Sequence, residues 1–177
     1  MRYVNFFLII VGSLTFQTTQ AQSDTIYFHD GRKEAATIQR VSANSVGYRY
    51  FMEEADRIAG FDAIEKIVYK SGRIEAFTNK RVLRNNGDWE SVKIIKDITE
   101  TEGLHAVGEI SVHTAFINFH TSHSGEVKAK QKLLQNADAM GCPFVFILED
   151  KEIVYGKIKF WGFTQHKYKA IAYKYSL

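Results

Sequence analysis

Histidines are the first residues whose type and spacing suggest chemistry, because three of the six lie close together before a predicted helix. If His113 and His120 belonged to one strand, their odd separation would direct them to opposite faces. His120 and His123 flank the corner between strand and helix and could share a metal ion, with Glu126 as the nearest acid. Two imidazoles alone make a poor zinc site, since three or four ligands are usual. Metal binding by His120 and His123 is therefore the alternative to exposed histidines in a polar corner.

The C-terminal segment interleaves lysines with aromatic side chains, and no acidic residue follows Glu152. Such a face can hold single-stranded nucleic acid. In an exported chain, however, an anionic envelope component or an acidic protein surface is the expected partner, and no nucleic acid is expected. Lysines on an edge strand can also serve only to prevent aggregation. The residues predicted to bind a partner are Lys157, Lys159, Trp161, Lys167 and Lys169.

Catalysis has little support in the sequence. The chain contains no G-x-S-x-G, H-E-x-x-H or glycine-rich phosphate loop, and Ser111 with His113 has no recognisable spacing. Cys142 is the single cysteine and precedes the apolar run FVFIL, which favours a buried, inert thiol over a nucleophile. We expect a protein without enzymatic activity and without a cofactor.

The first 21 residues predict the compartment. An arginine at position 2 precedes an apolar run at residues 6–16, and small residues stand at −3 and −1 of a cleavage after Ala21. This is the pattern of a secretory signal, and the run is too short to span a bilayer. We expect an exported protein, periplasmic or extracellular. Removing the signal changes the net charge from +3 to +2, because the segment holds one arginine and no acid.

The mature chain divides into two parts with different patterns. Residues 22–80 read as about five short strands, with tight turns at Asp30-Gly31 and Ser71-Gly72 and one helical turn at residues 61–64. Short strands with tight turns favour a small β-barrel. Residues 81–87 are polar and predict a linker.

Residues 88–177 predict an α+β domain with one main helix on an antiparallel sheet. WESVKII and the stretch from residue 103 to residue 119 read as strands. An apolar stripe at helical spacing predicts a helix from Gly125 to Met140, with Ser124 as N-cap and Gly141 after its end. FVFILED then reads as a buried strand, and two further strands form a final hairpin.

Two resemblances add to this interpretation. The segments DTIYFHDGRKEAATIQRV and DAIEKIVYKSGRIE resemble a small SH3-like or Sm-like barrel module of exported Bacteroidetes proteins. That resemblance implies a fold and no activity.

The segment EVKAKQKLLQNADAMGCPFVFILED resembles the lysine-rich helix and following strand of the YbjQ-like and RcsF-like families. This chain has Cys142-Pro143 after the glycine, where those families carry other residues, and lacks the paired cysteines of RcsF-like members. The resemblance implies a non-catalytic envelope protein that binds or senses an unknown ligand or partner. It also implies metal binding and a homo-oligomer. The matching positions are Ala129, Leu133, Ala137, Met140 and Gly141.

Overall fold

The computed structural model describes residues 23–84, 87–114, 122–158 and 161–176. Side chains are described in these ranges except at residue 122 and at residues 154–158 and 161–164. The described chain is mixed α+β, with two sheets and one helix, as the sequence predicts.

Six antiparallel strands form the first sheet, in the order β4-β3-β2-β1-β5-β6. Both predicted glycine turns are confirmed, since Gly31 has φ 95° and Gly72 has φ 83°. The predicted helical turn is confirmed as a 3₁₀ turn over Phe61–Ala63. We call residues 23–78 the N-terminal lobe. Its strands are β1 (Asp24–Phe28), β2 (Lys33–Val41), β3 (Ser45–Tyr50), β4 (Arg57–Gly60), β5 (Ile64–Val68) and β6 (Ile74–Ala76).

One strand of the N-terminal lobe was missed by the prediction, and the predicted barrel is not confirmed. Strand β4 was not predicted, because its four residues, RIAG, carry no strand pattern of their own. Among the described strands they pair only with β3. The predicted small β-barrel is not confirmed, because among the described residues β4 and β6 are the two edges of the sheet and no closed barrel is found. The sheet still encloses a hydrophobic core, in which Ile26, Ile64 and Ile67 are fully buried.

Four strands form the second sheet, in the order β7-β9-β10-β8. The prediction of a purely antiparallel sheet is wrong, because β7 runs parallel to β9. The long connection between these two strands, residues 96–143, supplies the crossover that parallel pairing requires. We call residues 88–176 the C-terminal lobe. Its elements are β7 (Lys93–Ile95), β8 (Leu104–His113), α1 (Ser122–Ala139), β9 (Phe144–Ile158) and β10 (Trp161–Tyr175).

Two strand predictions in the C-terminal lobe need correction. WESVKII is not one strand: Trp89–Ser91 form a 3₁₀ turn, closed by the Ser91 hydroxyl donating to Asp88 Oδ1 at 2.7 Å. The stretch predicted as a buried strand and a separate hairpin arm is one strand, because β9 continues to Ile158 and pairs with β10 along nearly its whole length.

Helix α1 begins at Ser122, so Ser124 lies inside the first turn and is not the predicted N-cap. Its end is as predicted. Gly141 has φ 66°, and Cys142 N donates to Ala137 O at 2.9 Å, which together with the bond from Gly141 N to Asp138 O closes the last turn. One face of α1 is buried on β8 and β10 through Ala129, Leu133 and Ala137.

The two lobes pack against each other. The His29 ring meets Tyr175 edge to face, with centroids 5.4 Å apart. Lys93 Nζ binds Asp62 Oδ2 at 2.5 Å and Glu100 Oε2 at 2.9 Å. The segment predicted as a linker also contacts the C-terminal lobe, since Arg81 N donates to the Tyr175 hydroxyl at 2.9 Å.

Candidate functional site

The candidate site begins with Arg32, which follows the turn between β1 and β2. Asp30 accepts from both the backbone N and the Nε of Arg32, at 2.9 and 2.6 Å. The guanidinium lies 4.6 Å from the centre of the Phe28 ring, and its Nη1 donates to Glu34 at 3.0 Å. Stacking and hydrogen bonding therefore fix one positive group at this place on the sheet.

A second stacked arginine stands on β4. The Arg57 guanidinium lies 4.7 Å from the centre of the Tyr50 ring and donates to Glu53 at 3.2 Å. The Tyr50 hydroxyl donates to Glu34, which also binds Arg32. Both arginines therefore belong to one chain of contacts that runs across β2, β3 and β4. Each guanidinium keeps further N–H groups beyond those used in these contacts.

Tyr48 forms the floor between the two arginines. Its ring is buried and meets Phe28 and Tyr50 edge to face, with centroids 6.5 and 5.5 Å apart. Burial raises the pKa of Tyr48, and the charge of Glu34 raises it further, whereas Arg32 and Arg57 lower it. The hydroxyl thus lies within the field of both guanidinium groups and stays protonated at neutral pH.

The opposite wall comes from the turn before β8. Glu102 O accepts from Gly60 N at 2.9 Å, which fixes this turn against β4. A Cβ on Gly60 would lie 2.3 Å from Glu100 O, so only glycine permits the close approach. Gly103 has φ 86°, and a Cβ there would lie 3.0 Å from the Cβ of Ala63. These two glycines bring the C-terminal lobe to the rim of the N-terminal sheet.

Together these walls enclose an open cleft of about 460 Å³ between the lobes. Aromatic rings form the floor of the cleft, and guanidinium and carboxylate groups stand around its rim. We call it the arginine cleft. Its lining residues are Phe28, Arg32, Tyr48, Tyr50, Asp56, Arg57, Ile58, Glu102 and Gly103.

Exposed apolar side chains stand beside the arginine cleft, at the turn between β3 and β4. Phe51 is 72% exposed and Met52 is 90% exposed. Met52 also has φ 66°, a left-handed conformation that a non-glycine residue adopts rarely. A tight turn that displays two large apolar side chains is unusual on a surface with no partner.

The groups around the cleft are suited to binding a ligand. Its carboxylates and guanidinium groups offer hydrogen bonds of both kinds, and its rings offer flat apolar surface.

A second groove, of about 430 Å³, runs along the linker. It has no aromatic residue in its described lining, and its shape depends on one segment of chain. Its lining residues are Asn79, Lys80, Arg81, Val82, Arg84, Asp88 and Ser91. The arginine cleft is the better candidate because its groups come from several elements and are fixed by stacking.

The predicted lysine face is only partly basic. Lys169 Nζ pairs with Glu109 at 3.0 Å, and Lys151 pairs with Glu149. Lys167 stands between Lys151 on β9 and His113 on β8 in the sheet register. Tyr168 faces the other way, into the core under α1. The lysines and this aromatic residue therefore do not share a surface, because alternate residues of a strand point to opposite faces.

The rest of the predicted lysine face is not described. Lys159 lies outside the described residues. Lys157 and Trp161 belong to β9 and β10, but their side chains are not among those described. Their grouping with Lys167 and Lys169 stays a prediction.

Only one member of the predicted histidine pair lies among the described residues. His123 is exposed in the first turn of α1, and His120 lies outside the described residues. Within the described part of the chain, no three side chains of the metal-binding types form a group. Metal binding by this pair stays a prediction.

Cys142 is buried, as predicted. Burial raises the pKa of its thiol, and the nearby charge of Lys174 lowers it by less. The neutral, enclosed thiol has the properties of a core residue.

Sequence reasoning missed the arginine cleft. Strand β3 was among the strands predicted for residues 22–80, but Arg32 and Glu102 lie far from that strand in the sequence. A local signal did exist, since a loop that contains Phe51 and Met52 is unusually apolar.

Comparisons of the chain with protein-family models, curated proteins and solved structures found no match. Within the described ranges, no helix combines the length and apolar character that crossing a membrane requires.

Proposed function

We propose that the protein is an exported, non-catalytic binding module of the cell envelope that holds an extended segment of a partner polypeptide in the arginine cleft. The observation that carries this proposal is the pair of guanidinium groups, of Arg32 and Arg57, each stacked on an aromatic ring at the cleft. Arginine and tyrosine are the residues that most often dominate the energy of protein recognition. The export signal predicted for residues 1–21 supports the location outside the cytoplasm.

A polypeptide segment matches the cleft because both have mixed polarity. Rings on the floor suit apolar side chains, and the rim offers two positive and two negative side chains. A purely anionic polymer would meet Asp56 and Glu102 as well as the arginines. A peptide can satisfy groups of both signs.

Strand β4 offers backbone groups to the same ligand. Gly60 N donates away from β3, to Glu102 O. Ile58 stands two residues earlier, so its N–H and C=O point to the same open side. Ile58 lines the cleft. A bound segment can therefore add backbone hydrogen bonds at this edge, which is a common mode of peptide recognition.

We also propose that the six-stranded sheet is an SH3-like or Sm-like barrel left open between β4 and β6. The short strands and the confirmed glycine turns support this assignment.

The test uses the mature chain from residue 22 and an array of short random peptides with free C termini. We expect a subset of peptides to bind, and one of them is then titrated by fluorescence anisotropy. Replacing Arg57→Gln or Tyr50→Ala should weaken its binding by about tenfold or more. The matched control is Arg73→Gln, because Arg73 also stacks on a tyrosine, Tyr69, at 4.0 Å and pairs with Glu75, but does not line the cleft.

Two results would contradict the proposal. One is an array without any bound peptide. The other is a peptide whose affinity is the same for the parent protein and for Arg57→Gln. Binding of dextran sulfate that is lost in Lys167→Gln, and kept in Arg57→Gln, would identify the lysine face as the site instead.

A further inference from the structure

Strand β8 is an unusually long edge. It has ten residues, and in the described chain it pairs on one side only, with β10. The other edge strands, β4, β6 and β7, have three or four residues. Edge strands are normally protected by shortness, by proline, by charged side chains, especially lysine, or by bulges, because their unpaired backbone groups bind other strands. Strand β8, LHAVGEISVH, contains no proline and no lysine.

The hydrogen bonding of β8 shows which backbone groups are unpaired. Thr114 N donates to His166 O on β10 at 3.0 Å. Because the pattern alternates, Val112 and Ile110 also face β10, whereas His113, Ser111 and Glu109 direct their N–H and C=O to the open side. The side chains of these last three residues are all exposed.

A bulge limits the usable part of this edge. Ala172 pairs with Gly108, and Tyr173 pairs with Ala106, so Val107 is an extra residue. The regular segment therefore runs from Gly108 to His113. Its middle outward-facing residue is Ser111.

This segment is complementary to itself. If two copies paired antiparallel about Ser111, Glu109 of one chain would stand opposite His113 of the other. By the two-fold symmetry, His113 of the first chain would also stand opposite Glu109 of the second. Both residues of each pair direct backbone groups outward, so each pair can exchange two hydrogen bonds. Lys169 already holds the Glu109 carboxylate on this face at 3.0 Å. Opposite polar partners across the strands add to the backbone pairing.

We propose that two copies of the chain associate through β8, antiparallel about Ser111, and so join two four-stranded sheets into one. A two-fold interface of this kind is closed, because each copy uses the same segment. The proposal does not depend on the arginine cleft, which lies on the N-terminal lobe and the turn before β8.

Disulfide trapping tests the register. In Ser111→Cys the two introduced thiols would face each other across a hydrogen-bonded pair, where the Cα separation suits a disulfide. Mild oxidation of the full mature chain should convert most of this variant into a covalent dimer. His105→Cys is the matched control, because His105 is exposed on the same strand but lies beyond the bulge. Cys142 is buried and does not compete. Equal cross-linking of both variants would overturn the proposal.

Sedimentation velocity tests the association itself. The parent chain should show a dimer fraction that rises with concentration, and Ser111→Pro should be monomeric. Proline is tolerated there because the lost N–H points away from β10, and circular dichroism confirms that the variant folds. A parent chain that is monomeric at every concentration overturns the proposal, as does a dimer that persists in Ser111→Pro.

An exchange of charges provides a second, milder test. Glu109→Lys would place a lysine opposite His113 and should reduce the dimer fraction. The double change Glu109→His with His113→Glu restores an opposite pair and should recover the dimer. Failure of the recovery, with both variants folded, would show that Glu109 and His113 do not meet. A selected array peptide that binds at Ser111 and not at the arginine cleft would instead show that the edge takes a different partner.

Discussion

Tyr168 is buried between α1 and the four-stranded sheet. Burial raises the pKa of Tyr168 to about 12, and the carboxylates of Asp150 and Glu126 contribute. The sequence HKYKAIAYKY predicts two faces by simple alternation. It does not indicate which face α1 covers, because that depends on contacts between residues distant in the chain. Which of the two faces of β10 is buried, and with it the position of Tyr168, could therefore not be assigned from the sequence alone.

The raised pKa of Tyr168 predicts a pH dependence. Between the ordinary value of 10.0 and about 12, the unfolded chain releases a proton that the folded chain keeps, so stability falls as pH rises. The variant Tyr168→Phe has no hydroxyl to ionise at this position, so its stability does not fall for this reason. Between pH 10 and pH 12, its free energy of unfolding should rise relative to that of the parent by on the order of 2 kcal/mol. Urea unfolding at stepped pH measures the difference, and parallel curves for the two proteins would contradict it.

At the scale of elements, local signals were sufficient for turns and helix ends. Gly31, Gly72 and Gly141 adopt the left-handed conformations that their sequence positions suggested. Strand β4 and the arginine cleft could not be predicted, because they depend on pairing and packing between distant segments. Gly60 shows the difference: it ends a strand with no pattern of its own, and its role comes from the Glu100–Glu102 backbone packed against it.

The variant Gly60→Ala should separate β4 from that turn. The added Cβ would lie 2.3 Å from Glu100 O, a backbone atom that cannot move freely. We expect the free energy of unfolding to fall by about 1–3 kcal/mol, as is usual for overpacking. The control is Gly47→Ala, whose Cβ would meet its nearest atoms at 3.8 and 4.0 Å, an ordinary contact. Equal losses in the two variants would show that the close approach is unimportant.

At the scale of the whole molecule, the two lobes are connected by ionic and aromatic contacts. Burial disfavours the charge of Lys93, but hydrogen bonds to Asp62 and Glu100 outweigh it and hold the Lys93 pKa above its ordinary value of 10.5. The stabilisation is therefore complete below that value and is lost as pH rises through the folded pKa. Sequence reasoning could not identify this contact, since Asp62 and Lys93 belong to different lobes.

The variant Lys93→Met should weaken the connection between the lobes. It leaves two carboxylates close together in a partly buried position, and we expect a loss of about 1–3 kcal/mol, less than for a fully buried pair because the Lys93 side chain is 34% exposed. Heat unfolding of the parent should show one transition, and the variant should unfold at a lower temperature. Lys151→Met is the control, because its pair with Glu149 is at the surface. An unfolding temperature of Lys93→Met equal to that of the parent would indicate that the lobes do not stabilise each other.

The reactivity of Cys142 can measure how often the core of the C-terminal lobe opens. Its side chain lies in the core beneath the end of α1. A thiol reagent can therefore reach Cys142 only when α1 separates from the sheet. With excess reagent, the rate of modification reports how often that happens, and a bound peptide or a second copy of the chain that stabilises the closed state would slow it. The native Cys142 can thus show, without an introduced probe residue, whether an event elsewhere in the molecule is transmitted to the core.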